Sequence, residues 1–283
     1  MTLTKSKLMA VFAHPDDEAF GSGGTLARYA AEGHEVHVVT ATRGEAGQIA
    51  QPELATTANL PDVREQELRC ACRIYGVRPP IFMDYVDGQL TIVNQGQAVA
   101  RLVRIIRDLR PQVLITFGQD GIYGHYDHLA VHRWASIAYD LAADPNCFPH
   151  VLRGACQPHQ VSKLYFRALT KDQVATMGEN GIPAAVMMDG VPFPFVPRKD
   201  SEITTVIHVS DFVEVKLQGI RCHATQVGRS NPFVEAPDEV MRQPWFRAES
   251  YVLARSTVGW PQGLETDLLA RLSTASGLGD SRA

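Results

Sequence analysis

The sequence predicts an α/β fold: a mostly parallel sheet flanked by helices, followed by a less regular C-terminal portion. Three observations carry this expectation. Short continuous apolar runs, at 8–13 and 113–117, have the pattern of strands buried on both faces. Stretches of helical spacing alternate with those runs, and repeated strand–helix–strand units imply parallel pairing. The chain has 283 residues, 45% hydrophobic and 20% charged, which is globular composition and excludes whole-chain disorder. A chain this long buries a large core. One domain over 1–283 is expected, with a motif-bearing core over about 7–228 and a C-terminal extension over 229–283.

The elements follow in order. Residues 8–13 form the first strand, and a helix spans 19–31 with Gly33 as its C-cap. Residues 35–40 are the second strand. The polar, glycine-containing stretch 43–60 is a long loop, and 62–75 is a helix stopped by Gly76. Residues 81–85 are the third strand. Val99, Leu102, Val103, Ile106 and Leu109 recur at helical spacing in 98–109, a helix that Pro111 ends. Residues 113–117 are the fourth strand, and 129–142 the next helix. Further on, 161–169 and 204–209 read as strands and 211–223 as a helix. The proline-rich stretch 183–197 is expected to be a surface loop. Residues 231–247 carry turn signals and the aromatic pair Trp245-Phe246, with no regular element assigned.

Charge and cysteine usage narrow the function classes. Lys+Arg is 27 and Asp+Glu is 31, a net charge of −4, with no basic run. Nothing attracts the chain as a whole to nucleic acid or anionic lipid. The run 8–13 is too short to cross a bilayer. It follows Lys5 and Lys7, but the polar stretch His14-Pro15-Asp16-Asp17-Glu18 stands where a signal peptide would continue. A soluble, cytoplasmic protein without nucleic-acid or membrane partners is expected, its oligomeric state left open. Cys70, Cys72, Cys147, Cys156 and Cys222 suggest neither a disulfide framework nor a four-thiolate zinc site, and Cys70 and Cys72 read as ordinary helix residues. Gly21-Ser22-Gly23-Gly24 lacks the spacing of a dinucleotide-binding turn, so no nicotinamide cofactor is expected. Those glycines are expected to let a helix pack close to the sheet.

Two polar clusters carry the chemistry. His14-Pro15-Asp16-Asp17-Glu18 follows the first strand, and His125-Tyr126-Asp127-His128 lies shortly after the fourth. Ligands of open parallel sheets bind outside the carboxyl ends of the strands, so both clusters belong to one edge. Residues three apart in a helical turn share a face, which pairs His14 with Asp17 and His125 with His128. Two imidazoles and a carboxylate suit a borderline cation such as zinc, and three protein ligands leave a position for water. Asp16 and Asp127 remain to take a proton or to orient a histidine. Either cluster alone could be a helix N-terminus favoured by its dipole, or histidines of a core or surface face. Their shared sheet edge favours the functional reading. His34, His37, His132, His150, His159 and His208 show no ligand spacing.

Ala13-His14-Pro15-Asp16-Asp17-Glu18 together with His125-x-Asp127-His128 resembles the LmbE/PIG-L family of zinc-dependent de-N-acetylases. The match continues through Gly23-Gly24-Thr25, Thr42-Arg43-Gly44-Glu45, Arg64-x-x-Glu67-Leu68, Asp84-Tyr85-x-Asp87-Gly88 and His223-Ala224-Thr225-Gln226, covering about residues 8–228. Tyr126 is a departure, since many members have proline there. The resemblance implies a Rossmann-like fold. It implies zinc, with iron(II) suited to the same donors, held by His14, Asp17 and His128, and Asp16 as general base. His125 would stabilise the tetrahedral intermediate or protonate the amine, Asp127 would orient it, and Tyr123 would contact the reacting carbonyl. Arg43, Arg64 and Asp87 follow strands or open a helix on the same edge, where they would bind substrate or form surface ion pairs. His223 and Gln226 would line the pocket or finish a helix.

The expected substrate is a small N-acetylglucosamine conjugate, with malate or inositol as aglycone. The stretch 12–21 and Asn59-Leu60-Pro61 resemble bacillithiol-pathway deacetylases most. The competing readings are a mycothiol-conjugate amidase and a non-catalytic sugar- or metal-binding module. The second would be expected to lack Asp16 or His125, and both are present.

Overall fold

The structure is a computed structural model that describes residues 5–149, 157–179, 183, 185–188 and 190–272. His150 and Cys156 lie outside the described residues. The chain begins with β1 (Lys7–Phe12), whose residues from Leu8 onward are sealed from solvent, as the continuous apolar run requires. Helix α1 (Asp17–Ala31) starts two residues earlier than the apolar pattern suggested, because Asp17 and Glu18 are buried in its first turn. Next come β2 (Glu35–Thr40), α2 (Leu60–Ile74) with proline in its first turn, and the short β3 (Ile81–Phe82). Helix α3 (Gln95–Leu109) is capped by the Asn94 side chain, which accepts from the Gln97 N–H, and ends at a left-handed Arg110 before Pro111.

Strand β4 (Val113–Phe117) leads to α4 (Gly121–Gly124), a distorted single turn, and then α5 (Tyr126–Leu141). The second half contributes β5 (Lys163–Ala168), α6 (Lys171–Glu179), β6 (Ala185–Met188), β7 (Val191–Pro194), β8 (Thr205–His208), α7 (Val213–Cys222), α8 (Pro232–Glu235), α9 (Pro237–Arg242) and β9 (Ala248–Ser256).

Seven strands form the main sheet in the order β3-β2-β1-β4-β5-β9-β8. Every neighbouring pair is parallel except those made by β9, which runs antiparallel to β5 and β8. The chain winds outward from β1 to β3, then returns to place β4 on the other side of β1. That reversal opens a crevice at the carboxyl ends of β1 and β4. Helix α3 packs on α5, and α7 packs on α1 and α2; the right-handed crossover rule places these two layers on opposite faces of the sheet. A second apolar cluster lies under α7, where Trp245 and Phe246 join Tyr75, Leu217, Ile220 and Phe233. Gly23 and Gly219 let α1 and α7 approach there, because the Tyr75 ring fills the space a Cβ would need on either.

Three expectations are corrected. The stretch 183–197 is not a plain loop: β6 and β7 pair in an antiparallel fashion, with proline tolerated because no further strand among the described residues pairs with them. The C-terminal portion supplies β9, a strand with neighbours on both sides. Its sequence hides this, since Glu249 and Ser250 are buried polar residues within the strand. Cys70 and Cys222 are joined by a disulfide across 152 residues, with Cα atoms 5.8 Å apart. The sequence could not show it, because the packing of α7 on α2 creates the proximity. Among the described residues, no helix is long and apolar enough to cross a membrane.

Candidate metal centre and active site

The two polar clusters meet in the β1/β4 crevice. The turn after β1 forces Asp16 to φ 119°, a conformation costly for a non-glycine residue. Asp16 occupies the N-cap position of α1, yet its carboxylate makes no cap bond. Glu18 instead accepts the Asp16 N–H at 3.0 Å, and Asp17 Oδ2 accepts the His14 N–H at 2.8 Å. After β4, positive φ at Gly121, Ile122 and Gly124 reverses the chain and delivers His125 to the N-cap of α5. His125 Nδ1 accepts the Asp127 N–H at 3.1 Å.

Two sets of donors lie within 4.8 Å of one another, His14/Asp17/His128 and His14/His125/Asp127. Hydrogen bonding separates them. The Asp127 carboxylate is occupied: Oδ2 accepts the Gly88 N–H at 2.7 Å and Oδ1 the Leu90 N–H at 3.1 Å. His125 Nδ1 is also engaged. His128 differs. Its Nδ1–H donates to the Gly121 carbonyl at 3.0 Å, and its ring stacks on Phe117 at 4.0 Å. Its Nε2 is buried without a hydrogen-bond partner among the described residues, 3.2 Å from Asp17 Oδ1. His14 turns Nδ1 towards Asp17 Oδ2, 3.5 Å away, and Nε2 towards Asp87 at 2.9 Å and Asp127 at 3.3 Å. A buried lone pair, a carboxylate and an imidazole braced from behind by acids fit a divalent cation of the zinc or iron(II) type.

The charges agree. Burial would lower the His14 pKa, but its contacts with Asp127, Asp17 and Asp87 outweigh it and hold the pKa well above the usual imidazole value. Burial would raise Asp17, but the neighbouring imidazoles of His128 and His14 hold it well below the usual carboxylate range. Asp16 is pushed up to about 6 by burial, with Arg64 opposing. His125 is pushed down to about 4 by burial and by the nearby charges of His14 and His128. It is therefore neutral near pH 7, and because Nδ1 accepts, Nε2 bears the proton. Tyr123 lies 5.0 Å from the His128 ring and 6.0 Å from that of His125.

Several expected site residues have other immediate partners. Asp127 reaches His125 only through its main chain; its carboxylate faces His14. Asp87 also faces His14 and accepts the Ala46 N–H at 2.9 Å. Arg64 is buried and holds Asp16 Oδ2 at 3.1 Å, the Pro15 carbonyl and the Gly44 carbonyl. Gly44 makes room for it, since a Cβ there would strike the guanidinium. Arg43 pairs with Glu65 and Asp84 over the Phe82 ring and borders a cavity of about 160 Å³ with Glu45, Pro61 and Tyr85. His223 donates its Nε2–H to the Glu18 carboxylate at 2.7 Å, fully buried, and Thr225 binds Glu67 through both its N–H and its hydroxyl.

One residue was missed. Arg167, at the end of β5, is 8% exposed and lies over Gly21, with no Cβ in its way. Its Nε has no hydrogen-bond partner among the described residues. Burial lowers its pKa, against the favourable charge of Asp17. Its sequence signal is its place at the carboxyl end of β5, the parallel strand beside β4.

A mostly parallel sheet with a metal-type donor set at its switch point defines a class of proteins, and comparison supplies the family. The model of the PIG-L family, GlcNAc-PI de-N-acetylase, matches residues 9–139. A 1D-myo-inositol 2-acetamido-2-deoxy-alpha-D-glucopyranoside deacetylase of Streptomyces griseus is 36% identical over 304 residues, covering 97% of this chain and 91% of the relative. The protein of the same name in Streptomyces avermitilis is 36% identical over 293 residues, covering 94% and 97%. The chain belongs to the PIG-L family, as its motifs suggested. Among solved structures, N,N'-diacetylchitobiose deacetylase from Pyrococcus horikoshii superposes with a TM-score of 0.65 at 19% identity, covering 88% of this chain and 83% of that one. A 4-carboxy-2-hydroxymuconate hydratase from Pseudomonas putida gives 0.63 at 18%, covering 90% and 99%. The last two show the fold alone, and the fold carries more than one reaction.

Proposed function

We propose that this protein is a metal-dependent deacetylase that hydrolyses the acetamide of an N-acetylglucosamine–inositol conjugate. The observation that carries the reaction is the buried His14, Asp17 and His128 donor set beside an uncapped, elevated-pKa Asp16. The inositol aglycone rests on the names of the Streptomyces relatives. The malate conjugate has no support in them.

His14, Asp17 and His128 would hold the cation, which when bound acidifies water and polarises an amide carbonyl. Asp127 and Asp87 hold the His14 ring in the orientation that presents Nδ1. Asp16, ionised at neutral pH, takes the proton of the attacking water. Arg64 keeps it ionised by its charge. The neutral His125 offers its Nε2–H as a hydrogen bond to the tetrahedral intermediate, and the proton taken up by Asp16 passes to the departing nitrogen. Arg167 and the Tyr123 hydroxyl supply donors to the negative charge building on the acetyl oxygen, a term worth about 3 kcal/mol per well-placed donor. Water and the amide become acetate and a free amine.

The test is acetate release from N-acetylglucosamine and from its inositol and malate conjugates, with metal-free enzyme and zinc or iron(II) added back. Metal-dependent release from the inositol conjugate is expected. No acetate release from these, with release of free amine from a glucosamine–inositol conjugate carrying a larger acyl group, would favour an amidase. Bound metal with no release would leave a binding module and overturn the proposal.

A further inference from the structure

We propose that Cys70 and Cys222 form a thiol-responsive clip that sets how firmly the segments behind Asp16 are held. The pair joins α2 to the last residue of α7, and both sulfur-bearing residues are half-buried, whereas Cys72 in the same helix is sealed. The pair thus lies nearer the solvent than its neighbour does.

The position of the clip gives it leverage. Cys222 immediately precedes His223, which binds Glu18 at 2.7 Å, and Glu18 in turn accepts the Asp16 N–H at 3.0 Å. Three residues before Cys70, Glu67 takes the N–H and the hydroxyl of Thr225, each at 2.7 Å. One helical turn earlier still, Arg64 holds Asp16 Oδ2 at 3.1 Å. Both chains of contact from the sulfur pair thus end on Asp16. The disulfide and the Glu67–Thr225 bonds tie the same two segments in parallel, so opening the disulfide removes one tie and leaves the other.

The chemistry is thiol–disulfide exchange. The thiolate of a small thiol attacks one protein sulfur, the S–S bond breaks, and the released cysteine thiolate takes up a proton. A second small thiol attacks the mixed disulfide, freeing the second cysteine and leaving a small-molecule disulfide. Two thiols supply the two electrons, and a small-molecule disulfide runs the sequence backwards.

The test uses the full-length, metal-loaded protein equilibrated with oxidised or with reduced glutathione. Differential alkylation and mass spectrometry read the linkage. Hydrogen exchange reads residues 222–226 and α2, and acetate release reads turnover. Oxidised protein is expected to give the linked Cys70–Cys222 peptide. Reduction is expected to speed exchange at 222–226 by about tenfold and to lower kcat/KM. Cys70→Ser and Cys222→Ser should each behave like the reduced protein and ignore glutathione. Absence of the linked peptide, or equal exchange in both states, would overturn the clip. The turnover arm rests on the deacetylase reading. An exchange difference without any turnover in either state would count against that reading and leave the clip standing.

Discussion

Asp16 has the backbone of a strained turn and a carboxylate that caps nothing, which separates it chemically from its neighbour Asp17. Asp16→Asn should retain metal and lose about 10²–10⁴-fold in kcat, whereas His128→Ala should lose the metal itself. Metal content and steady-state rates on the same preparations check this, and equal metal loss in both variants would contradict the roles. Asp127→Asn should weaken metal affinity by about 10–100-fold through His14, readable by competition with a chelator. Arg64 opposes the rise in the Asp16 pKa. Arg64→Met should therefore move the acid limb of the kcat/KM profile to higher pH, because a base must be ionised to act. An unmoved limb would refute it. That His14, Asp17, His125 and His128 would gather at one sheet edge was legible, because i,i+3 spacing and a strand end are local facts. The partners of Asp127 and Asp87 were not, because His14 meets them across more than seventy residues of chain.

Helix α1 is held to the sheet by a buried ion pair as well as by apolar packing. Glu249 of β9 accepts the N–H groups of Gly24 and Thr25 at 3.1 and 2.7 Å, and Lys216 of α7 lies 2.9 Å from it. Burial would raise the Glu249 pKa, but Lys216 and the Thr25 bonds outweigh it and lower it. A carboxyl depressed in the folded state adds stability above its unfolded value, about 4.3. That stability disappears as pH falls through the folded value. Glu249→Gln should cost about 3–5 kcal/mol near pH 7, because Lys216 is left buried and unpaired. It should also flatten the loss of stability on acidification. Urea midpoints from about pH 7 down to about pH 3 measure both. The same pair explains why β9 escaped notice: a strand pattern presumes apolar residues at buried positions, and here a charge is buried with its partner.

For the molecule as a whole, metal binding at the proposed site in the β1/β4 crevice would be coupled to folding, since the donors come together only when residues over a hundred apart in sequence are packed. Chelation should lower Tm, and restoring metal at about a thousandfold over Kd should return roughly 4 kcal/mol. A Tm indifferent to chelator would place the metal elsewhere. By itself the chain determined its alternation of strands and helices, the sheet edge that bears the site, and the two motifs that name the family. These depend on periodicity and on neighbours within a turn. Only the tertiary structure decided which carboxylates brace His14, that Arg64 turns inward to Asp16, that Arg167 lies buried at the site, and that Cys70 meets Cys222. Each is a contact between elements distant in sequence, set by how whole helices pack, and no local pattern encodes it.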